Sequence, residues 1–407
     1  MQEWLYRIKR VYHFLTTGLR GAWAAAQNGH PEKKLKFILV TGTDGKTTTS
    51  TLIYRLLQQA GFKVGLLSTV AAYIGEVSLD TGFHVTSPEP QDLYRYLRQM
   101  VEAGLEYVVL EVTSQGAYQY RTWGIKAQIA ALTNVDREHL DYHLTFDNYL
   151  RAKMLVLNSA QTAVVNDAQE YFGTVKKLLC PEIKVVTFNQ VTHFTPEIDA
   201  AIAKKMSTDY NRLNAIEAVT VAKQLDVSDQ DIVAALREFE LPAGRLEVIP
   251  TQLDCTMIVD FAHTPQALAN VLPAIKRQYV HQGAQLIGIV GCAGLRDRQK
   301  RPSMGKIMAE ECDVAIFTAE DPRTEDVWAI IQQMKQDVGD KHAKVISIAN
   351  REEALRFALE NYAHDGNVIA IFGKGHEQSM NYDGKTETLW CDITGAQEIL
   401  RELEQKK

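Results

Sequence analysis

The run Val40, Thr41, Gly42, Thr43, Asp44, Gly45, Lys46, Thr47, Thr48 has the residue types that hold a nucleoside triphosphate. Glycines let successive backbone N–H groups converge on one anion. A lysine directly after them reaches phosphate oxygens, and the hydroxyl beside it can ligate Mg2+. A long phosphate loop would need a glycine at position 40, where Val40 stands; Gly42, Gly45, Lys46 and Thr47 fit the compact form GTxGKT instead. Gly42, Thr43, Asp44, Gly45, Lys46, Thr47 and Thr48 are therefore the candidate ATP contacts. A ligand-free glycine turn is the plain alternative, but it would have no use for Lys and Thr at a strand-to-helix junction.

Two further side chains carry metal chemistry. Glu111 ends an apolar run and His139 follows the next one. Singly, the first reads as a strand-end acid and the second as a core histidine. At the carboxyl ends of successive strands of a phosphate-loop sheet, they read instead as metal ligands, Glu111 with Thr47 giving hard oxygens to one Mg2+ and His139 helping to hold a second.

The elements that must position these groups alternate. Strand-like runs at 36–41, 63–69, 106–112, 129–133 and 163–166 are separated by helical stretches at 46–60, 91–103 and 148–159. That order predicts a mostly parallel, doubly wound α/β sheet. A helical region at 211–239 ends in Leu241, Pro242, Ala243 and Gly244, where the chain breaks. A second, Rossmann-like α/β series follows, with strands expected at 256–261, 285–290, 314–318, 344–348 and 367–372. The division expected is an N-terminal helical segment at 1–35, a central ATP-binding domain at 36–245 and a C-terminal domain at 246–407. In the first segment Trp4, Leu5, Ile8, Val11, Tyr12 and Leu15 recur at helical spacing with Arg7, Lys9 and Arg10 among them. A helix with that stripe packed on its own protein is the expectation, and a helix lying on a membrane the alternative.

A chain of 407 residues can bury more than one core, and a formal charge of -6 gives no electrostatic reason to expect nucleic acid as a partner. The five cysteines show no metal spacing and read as free thiols of a reducing compartment. A cytoplasmic monomer acting on small molecules, with no membrane partner, is expected.

Three segments of the first half and four of the second resemble one family. They are Glu111 to Gly116, Thr133 to His143 and Tyr149 to Lys153; then Asp260 to Pro265, Gly291 to Arg296, Asp321 to Thr324 and Gly373 to Glu377. In this order they resemble the Mur ligases, most closely the UDP-N-acetylmuramoyl-tripeptide synthetases of peptidoglycan biosynthesis. The resemblance implies a P-loop ATPase domain followed by a C-terminal ligase domain. It also implies an ADP-forming ligase that joins a diamino acid to a muramoyl dipeptide. Turning a carboxylate into an acyl phosphate brings two anions together, and cations must offset the repulsion.

By the same resemblance Lys46, Glu111, His139 and Lys153 form the catalytic set. Lys153 would be the lysine that takes up CO2 as a carbamate and becomes an anionic metal ligand, for which its amine must be neutral. Asn211 and Asn214 would border the adenine, Arg245 would reach the phosphates, and Asp260 and His263 would approach the nucleotide on domain closure. Thr86, Ser87, Thr113, Ser114 and Arg121 would hold the acceptor, and Arg296, Asp321, Arg323, Gly373 and Glu377 the diamino acid. Arg323 suits the far carboxylate of meso-diaminopimelate. Asp321 stands where diaminopimelate enzymes usually carry Asn, and its negative charge would suit the amine of lysine, so both amino acids stay open. Only about 35 residues precede the loop, where relatives carry a uridine-diphosphate-binding domain, and 188–210 is short of a β-rich part. Those departures leave a truncated or lipid-linked acceptor open. A folylpolyglutamate or amino-acid-polymerising ligase of the same family, and a silent nucleotide-binding scaffold, are the competing readings.

Overall fold

The computed structural model describes residues 2–70, 72–75, 77–79, 87–339 and 343–406. It divides into two compact units, Met1–Glu240 and Leu241–Lys407.

The first unit opens with helices α1 (Gln2–His13) and α2 (Leu19–Gln27), joined by a widened turn at Phe14–Gly18. Then come β1 (Lys36–Thr41), α3 (Lys46–Gln59), β2 (Val64–Leu67), the short β3 (Ala72–Ile74) and β4 (Val77–Leu79), α4 (Pro90–Glu102), β5 (Tyr107–Glu111) and α5 (Ser114–Tyr118). Next are β6 (Ala127–Leu132), α6 (Leu140–His143), α7 (Phe146–Leu157), β7 (Ala160–Asn166), α8 (Phe172–Leu178) and β8 (Lys184–Phe188). Helices α9 (Pro196–Lys205), α10 (Asp209–Lys223) and α11 (Asp229–Glu238) close the unit. The strands form one sheet in the order β4-β3-β2-β5-β1-β6-β7-β8, parallel from β2 to β8. Runs such as Phe37-Ile38-Leu39-Val40 are buried throughout because helices cover both faces of a parallel sheet. The expected α/β class and the main strands are found. The antiparallel edge β3–β4 and the mostly exposed β8 carry no continuous apolar run and escaped the sequence pattern. The helical region at 211–239 is two helices, divided where Asp226 adopts positive φ.

The expected core stripe of α1 is a correction. Trp4, Ile8, Val11, Tyr12 and Leu15 face solvent. The helix packs on its unit through the other side, where Tyr6 stacks on Tyr118 with centroids 4.4 Å apart and Phe14 meets Tyr120 and Trp123. Small residues allow this, since a Cβ on Gly21 would lie 2.8 Å from Trp123 Cβ. Counting large apolar residues favoured the wrong side, because rings that stack and glycines that let backbones approach decide the contact here.

In the second unit β9 (Glu247–Ile249), β10 (Cys255–Asp260), α12 (Pro265–Tyr279), β11 (Leu286–Cys292), α13 (Lys300–Glu311), β12 (Val314–Ala319), α14 (Val327–Met334), β13 (Lys344–Ser347), α15 (Arg351–Tyr362) and β14 (Asn367–Phe372) alternate. A hairpin of β15 (Ser379–Asn381) and β16 (Glu387–Leu389) precedes α16 (Asp392–Gln405). The sheet runs β13-β12-β11-β14-β10-β9 and is parallel except for β9. Its loops after β10, β11, β12 and β14 lie at one edge.

Candidate functional site

In the first unit the loop after β1 is held by the loop after β6. Asn134 Oδ1 accepts from the backbone N–H of Thr43 at 3.2 Å and of Asp44 at 2.9 Å, and Thr133 Oγ1 donates to the Asp44 carbonyl at 2.6 Å. Two positions require glycine. A Cβ at Gly42 would sit 1.7 Å from the Thr133 hydroxyl, and at Gly45, whose φ is 79°, it would sit 2.4 Å from Asn214 Oδ1. Gly45 caps α3, so the N-terminus of a helix of fourteen residues opens at the loop. Lys46 folds over the loop, its Nζ donating to the carbonyls of Gly42 at 3.2 Å and Thr43 at 2.7 Å. Thr47 and Thr48 are buried in the first turn.

Glu111 is almost fully buried at the end of β5, whose register pairs it with Val40 beside the loop. Its carboxylate accepts from Thr47 Oγ1 at 3.2 and 3.1 Å and from the N–H and hydroxyl of Thr69, both at 3.1 Å. Among the described residues no Lys, Arg or His pairs with it. A buried carboxylate surrounded by hydroxyls is what a hard divalent cation would require, so Thr47 and Glu111 fit Mg2+.

Lys153 lies on the buried face of α7, with its Nζ 4.5 Å from the centre of the Tyr149 ring. Burial, and then the nearby Lys46 charge, hold its amine well below the usual lysine range, against the opposite pull of Glu138 and Asp44. Tyr149 OH bonds Thr43 Oγ1 at 2.9 Å, so the lysine helix is tied to the phosphate loop. His139 sits at positive φ at the start of α6, half-exposed, with Nε2 3.6 Å from the carboxylate of buried Glu138. On α10, Asn211 and Asn214 lie one turn apart and buried, 3.5 Å from each other.

The acceptor candidates gather at α5. Ser87 Oγ accepts from Thr113 N–H at 3.0 Å, Thr113 caps α5 through Gly116 N–H, and Arg121 donates to the Ser87 carbonyl at 2.6 Å and pairs with Glu89 at 2.9 Å. Thr86 lies outside the described residues. Ser114 Oγ is 3.0 Å from His143 Nε2, and His143 Nδ1 meets Tyr6 OH at 2.7 Å. Burial pushes the His143 pKa down to about 3, with further lowering by His139, Lys153 and Lys9, so this histidine is neutral and serves as a link. Sequence reasoning did not single out Thr69, Asn134, Glu138, Tyr149 or His143 as site residues, although the last four stand inside the motif segments.

In the second unit Asp260 is committed to structure: its oxygens accept from the N–H groups of Leu246 and Ala262, both at 2.8 Å. Burial raises its pKa, against the lowering effect of Arg245. Arg245 lies 4.3 Å over the Phe261 ring, and His263 Nδ1 is 3.0 Å from the Phe261 carbonyl.

Asp321 differs from expectation. Both its oxygens accept from Lys374 Nζ at 3.0 Å, and Lys374, itself buried, also meets Glu377 at 2.5 Å. The added negative charge is thus already paired, with a lysine that stands inside the Gly373 to Glu377 segment and is shared with Glu377. Arg323 donates to the Gly294 carbonyl at 2.7 Å, and no described acidic side chain pairs with it. Arg296 is exposed on the loop after β11. Gly373, at φ 109°, leaves room for Glu320, whose Oε2 would lie 2.6 Å from a Cβ there. Two fully buried arginines brace these loops. Arg301 bonds Glu325 at 2.8 and 3.0 Å, and Arg351 bonds Asp392 at 2.8 and 2.6 Å and the carbonyls ending β12 and β14. The Arg301 pair holds the Glu325 carboxyl down to about 2.

Residues 40–226 match the family model of the Mur ligase middle domain, and residues 244–375 that of the Mur ligase glutamate ligase domain. The UDP-N-acetylmuramoyl-L-alanyl-D-glutamate--2,6-diaminopimelate ligase of Clostridium botulinum is 34% identical over 380 residues, which are 88% of this chain and 76% of the relative. The ligase of the same name from Bacteroides fragilis is 36% identical over 89% of this chain and 78% of its own length. A solved structure of a ligase of that name superposes with a TM-score of 0.58 at 27% identity, covering 94% of this chain and 82% of the other. A folylpolyglutamate synthase of Mycobacterium tuberculosis superposes with a TM-score of 0.69 over 89% of this chain and 96% of its own, but at 17% identity this shows a shared fold alone.

Proposed function

The chain belongs to the Mur ligase family, and from that premise we propose that it joins meso-diaminopimelate to the D-glutamyl carboxylate of a muramoyl dipeptide, at the expense of ATP. It is an ATP-dependent, ADP-forming ligase acting on small molecules in peptidoglycan precursor synthesis. The loop amides, the α3 N-terminus and Lys46 hold the triphosphate, and Asn211 and Asn214 border its base. The acceptor carboxylate, placed by Ser87, Thr113, Ser114 and Arg121, attacks the γ-phosphorus; ADP leaves and an acyl phosphate forms. The diaminopimelate amine then attacks the acyl carbon, a proton and phosphate leave, and the amide remains. Thr47 and Glu111 would hold Mg2+, and His139 would serve a second ion; the metal would supply charge neutralisation as the two anions approach.

We read Lys153 as carbamylated in the working enzyme. Its neutral amine attacks CO2, a C–N bond forms and a proton is lost, so a cation becomes an anion. Burial and the Lys46 charge favour the neutral amine that this requires.

One observation carries the proposal: Glu111, almost fully buried, bonds Thr47 beside the phosphate loop with no described cation of its own. Diaminopimelate is preferred to lysine because Asp321 is already engaged by Lys374, while Arg323 has no described acidic partner. A cytoplasmic monomer fits this chemistry, and no described helix is long and apolar enough to cross a membrane. The test is mass spectrometry after incubation with ATP, Mg2+, UDP-N-acetylmuramoyl-L-alanyl-D-glutamate and a mixture of candidate amino acids. The acceptor should gain diaminopimelate, with one ADP per amide. Addition of lysine would overturn the choice of amino acid, and ADP release independent of the amino acid would overturn the ligase reading.

A further inference from the structure

Seven of the sixteen large apolar side chains exposed among the described residues fall within residues 4–23. They are Trp4, Ile8, Val11, Tyr12, Leu15, Leu19 and Trp23, spaced so that α1, the widened turn and α2 carry them as one stripe, with Trp4, Leu15 and Trp23 each more than half exposed. A run this concentrated marks an interaction surface, whereas singly scattered apolar residues do not. The helix's opposite side is already occupied by its own unit, through Tyr6, Phe14, Gly18 and Gly21.

The surroundings of the stripe indicate what covers it. Residues 2–27 hold Arg7, Lys9, Arg10 and Arg20 against the single acid Glu3, in a chain whose formal charge is -6. Lys9 lies 4.0 Å from the Tyr142 ring, Arg10 donates to Tyr120 OH and Arg20 is 3.7 Å from Glu89, which leaves exposed Arg7 beside the stripe. Adjacent helix positions diverge by about 100°, so Arg7 and Lys9 lie on either side of the Ile8 stripe. Trp4, Tyr12 and Trp23 are the ring types that settle at the level of lipid headgroups, and lysine and arginine stems can lie along apolar surface while their charges reach anionic headgroups.

We propose that α1 and α2 dock this protein on the surface of an anionic bilayer, with the stripe inserted at the headgroup boundary and exposed Arg7 on the headgroups. The helix enters as a rigid part of its unit. Tyr118 OH donates to the Tyr6 carbonyl, and Tyr6 OH connects through His143 to Ser114, so the docked surface is joined to the wall that carries Ser114 and Thr113. The docking does not rest on the ligase reading, and its readout is independent of turnover.

The test is flotation of the full chain with vesicles of phosphatidylcholine alone and of phosphatidylcholine mixed with phosphatidylglycerol, at low and high salt. The chain should float with the mixed vesicles, less so at high salt. The double substitution Ile8→Asp with Leu15→Asp should lower partitioning by at least about tenfold, and Arg7→Glu by less, because each removes one favourable contribution of an interfacial helix. Both variants should keep the wild-type circular dichroism and nucleotide binding. Absence of flotation would overturn the proposal, as would flotation unchanged by Ile8→Asp with Leu15→Asp. A wild-type dimer that the same double variant dissociates, without vesicle binding, would assign the stripe to a second copy and likewise overturn it.

Discussion

The phosphate-loop end of the first sheet and the loop edge of the second carry similar sets of charged side chains in opposite states. In the first, among the described residues, Lys46 is satisfied by the carbonyls of its own loop and Glu111 by hydroxyls and an amide. In the second, Lys374 bridges the carboxylates of Asp321 and Glu377, and Arg301 and Arg351 are each locked to a carboxylate. Charges without counter-charges await an exchangeable polyanion and metal. Charges already paired fix loop geometry, so that a zwitterionic amino acid meets a rigid frame.

The comparison breaks most visibly at Glu111. Glu111→Gln keeps the shape but removes the charge, and ligation should fall by more than about a thousandfold. Stability should hold or rise by about 1 kcal/mol, since a buried acid without a cation is costly to keep ionised. Product formation and urea unfolding measure the two. A variant that stayed active and lost stability would place Glu111 with the paired charges of the second unit. The opposite signature belongs to Arg351→Met, which leaves Asp392 buried without its counter-charge, although the Trp390 indole N–H still donates to it at 2.9 Å. It should destabilise the second unit by on the order of 3 kcal/mol, read from its denaturant midpoint, with nucleotide binding by the first unit retained.

Lys153→Ala should lower ligation by about a hundredfold and leave nucleotide binding intact, with partial recovery in formate or acetate, whose carboxylate stands in for the carbamate. The acid side sharpens this. The folded-state pKa of Lys153 is depressed, so its amine is neutral above that pKa and protonated below it. Bicarbonate-dependent reactivation of decarbamylated enzyme should therefore slow as pH falls, followed by ligation rate after a pH jump. An unimpaired Lys153→Ala, or one that no carboxylate restores, removes the carbamate from the account.

How far the sequence reached follows the same division. Thr47 was legible from the phosphate-loop motif that opens α3, and Glu111 from its place at the carboxyl end of a strand whose parallel pairing is dictated by continuous apolar runs. Motif order then located Lys153. Its burial was not legible, since a lysine between Ala152 and Met154 reads as a solvated helix position until α7 is packed under the loop. In the second unit Asp321 could be seen, but Lys374 stands fifty-three residues away and is brought alongside only through the neighbours β12, β11 and β14. Arg301 and Arg351 were missed for a related reason, because helix arginines default to solvent unless a specific carboxylate is known to wait inside. The α1 stripe was read correctly as a stripe and assigned to the wrong side.

The smallest effect is expected at Asp321. Asparagine there would restore the residue that the resemblance associates with diaminopimelate. If the carboxylate addressed the substrate directly, Asp321→Asn should change the KM for the amino acid strongly and shift preference between lysine and diaminopimelate. The geometry argues otherwise. Its two oxygens face Lys374 and the Asn381 N–H, and Lys374 keeps Glu377 at 2.5 Å when Asp321 loses its charge. A hydrogen bond retained in kind and a neighbouring charge partner left in place limit the loss to about 1 kcal/mol, so KM for diaminopimelate should move by less than about fivefold with kcat unchanged. Steady-state kinetics with both amino acids decides it. A large KM shift confined to lysine would mean that Asp321 reads the substrate's far end, and that the second unit, like the first, keeps a charge in reserve for its ligand.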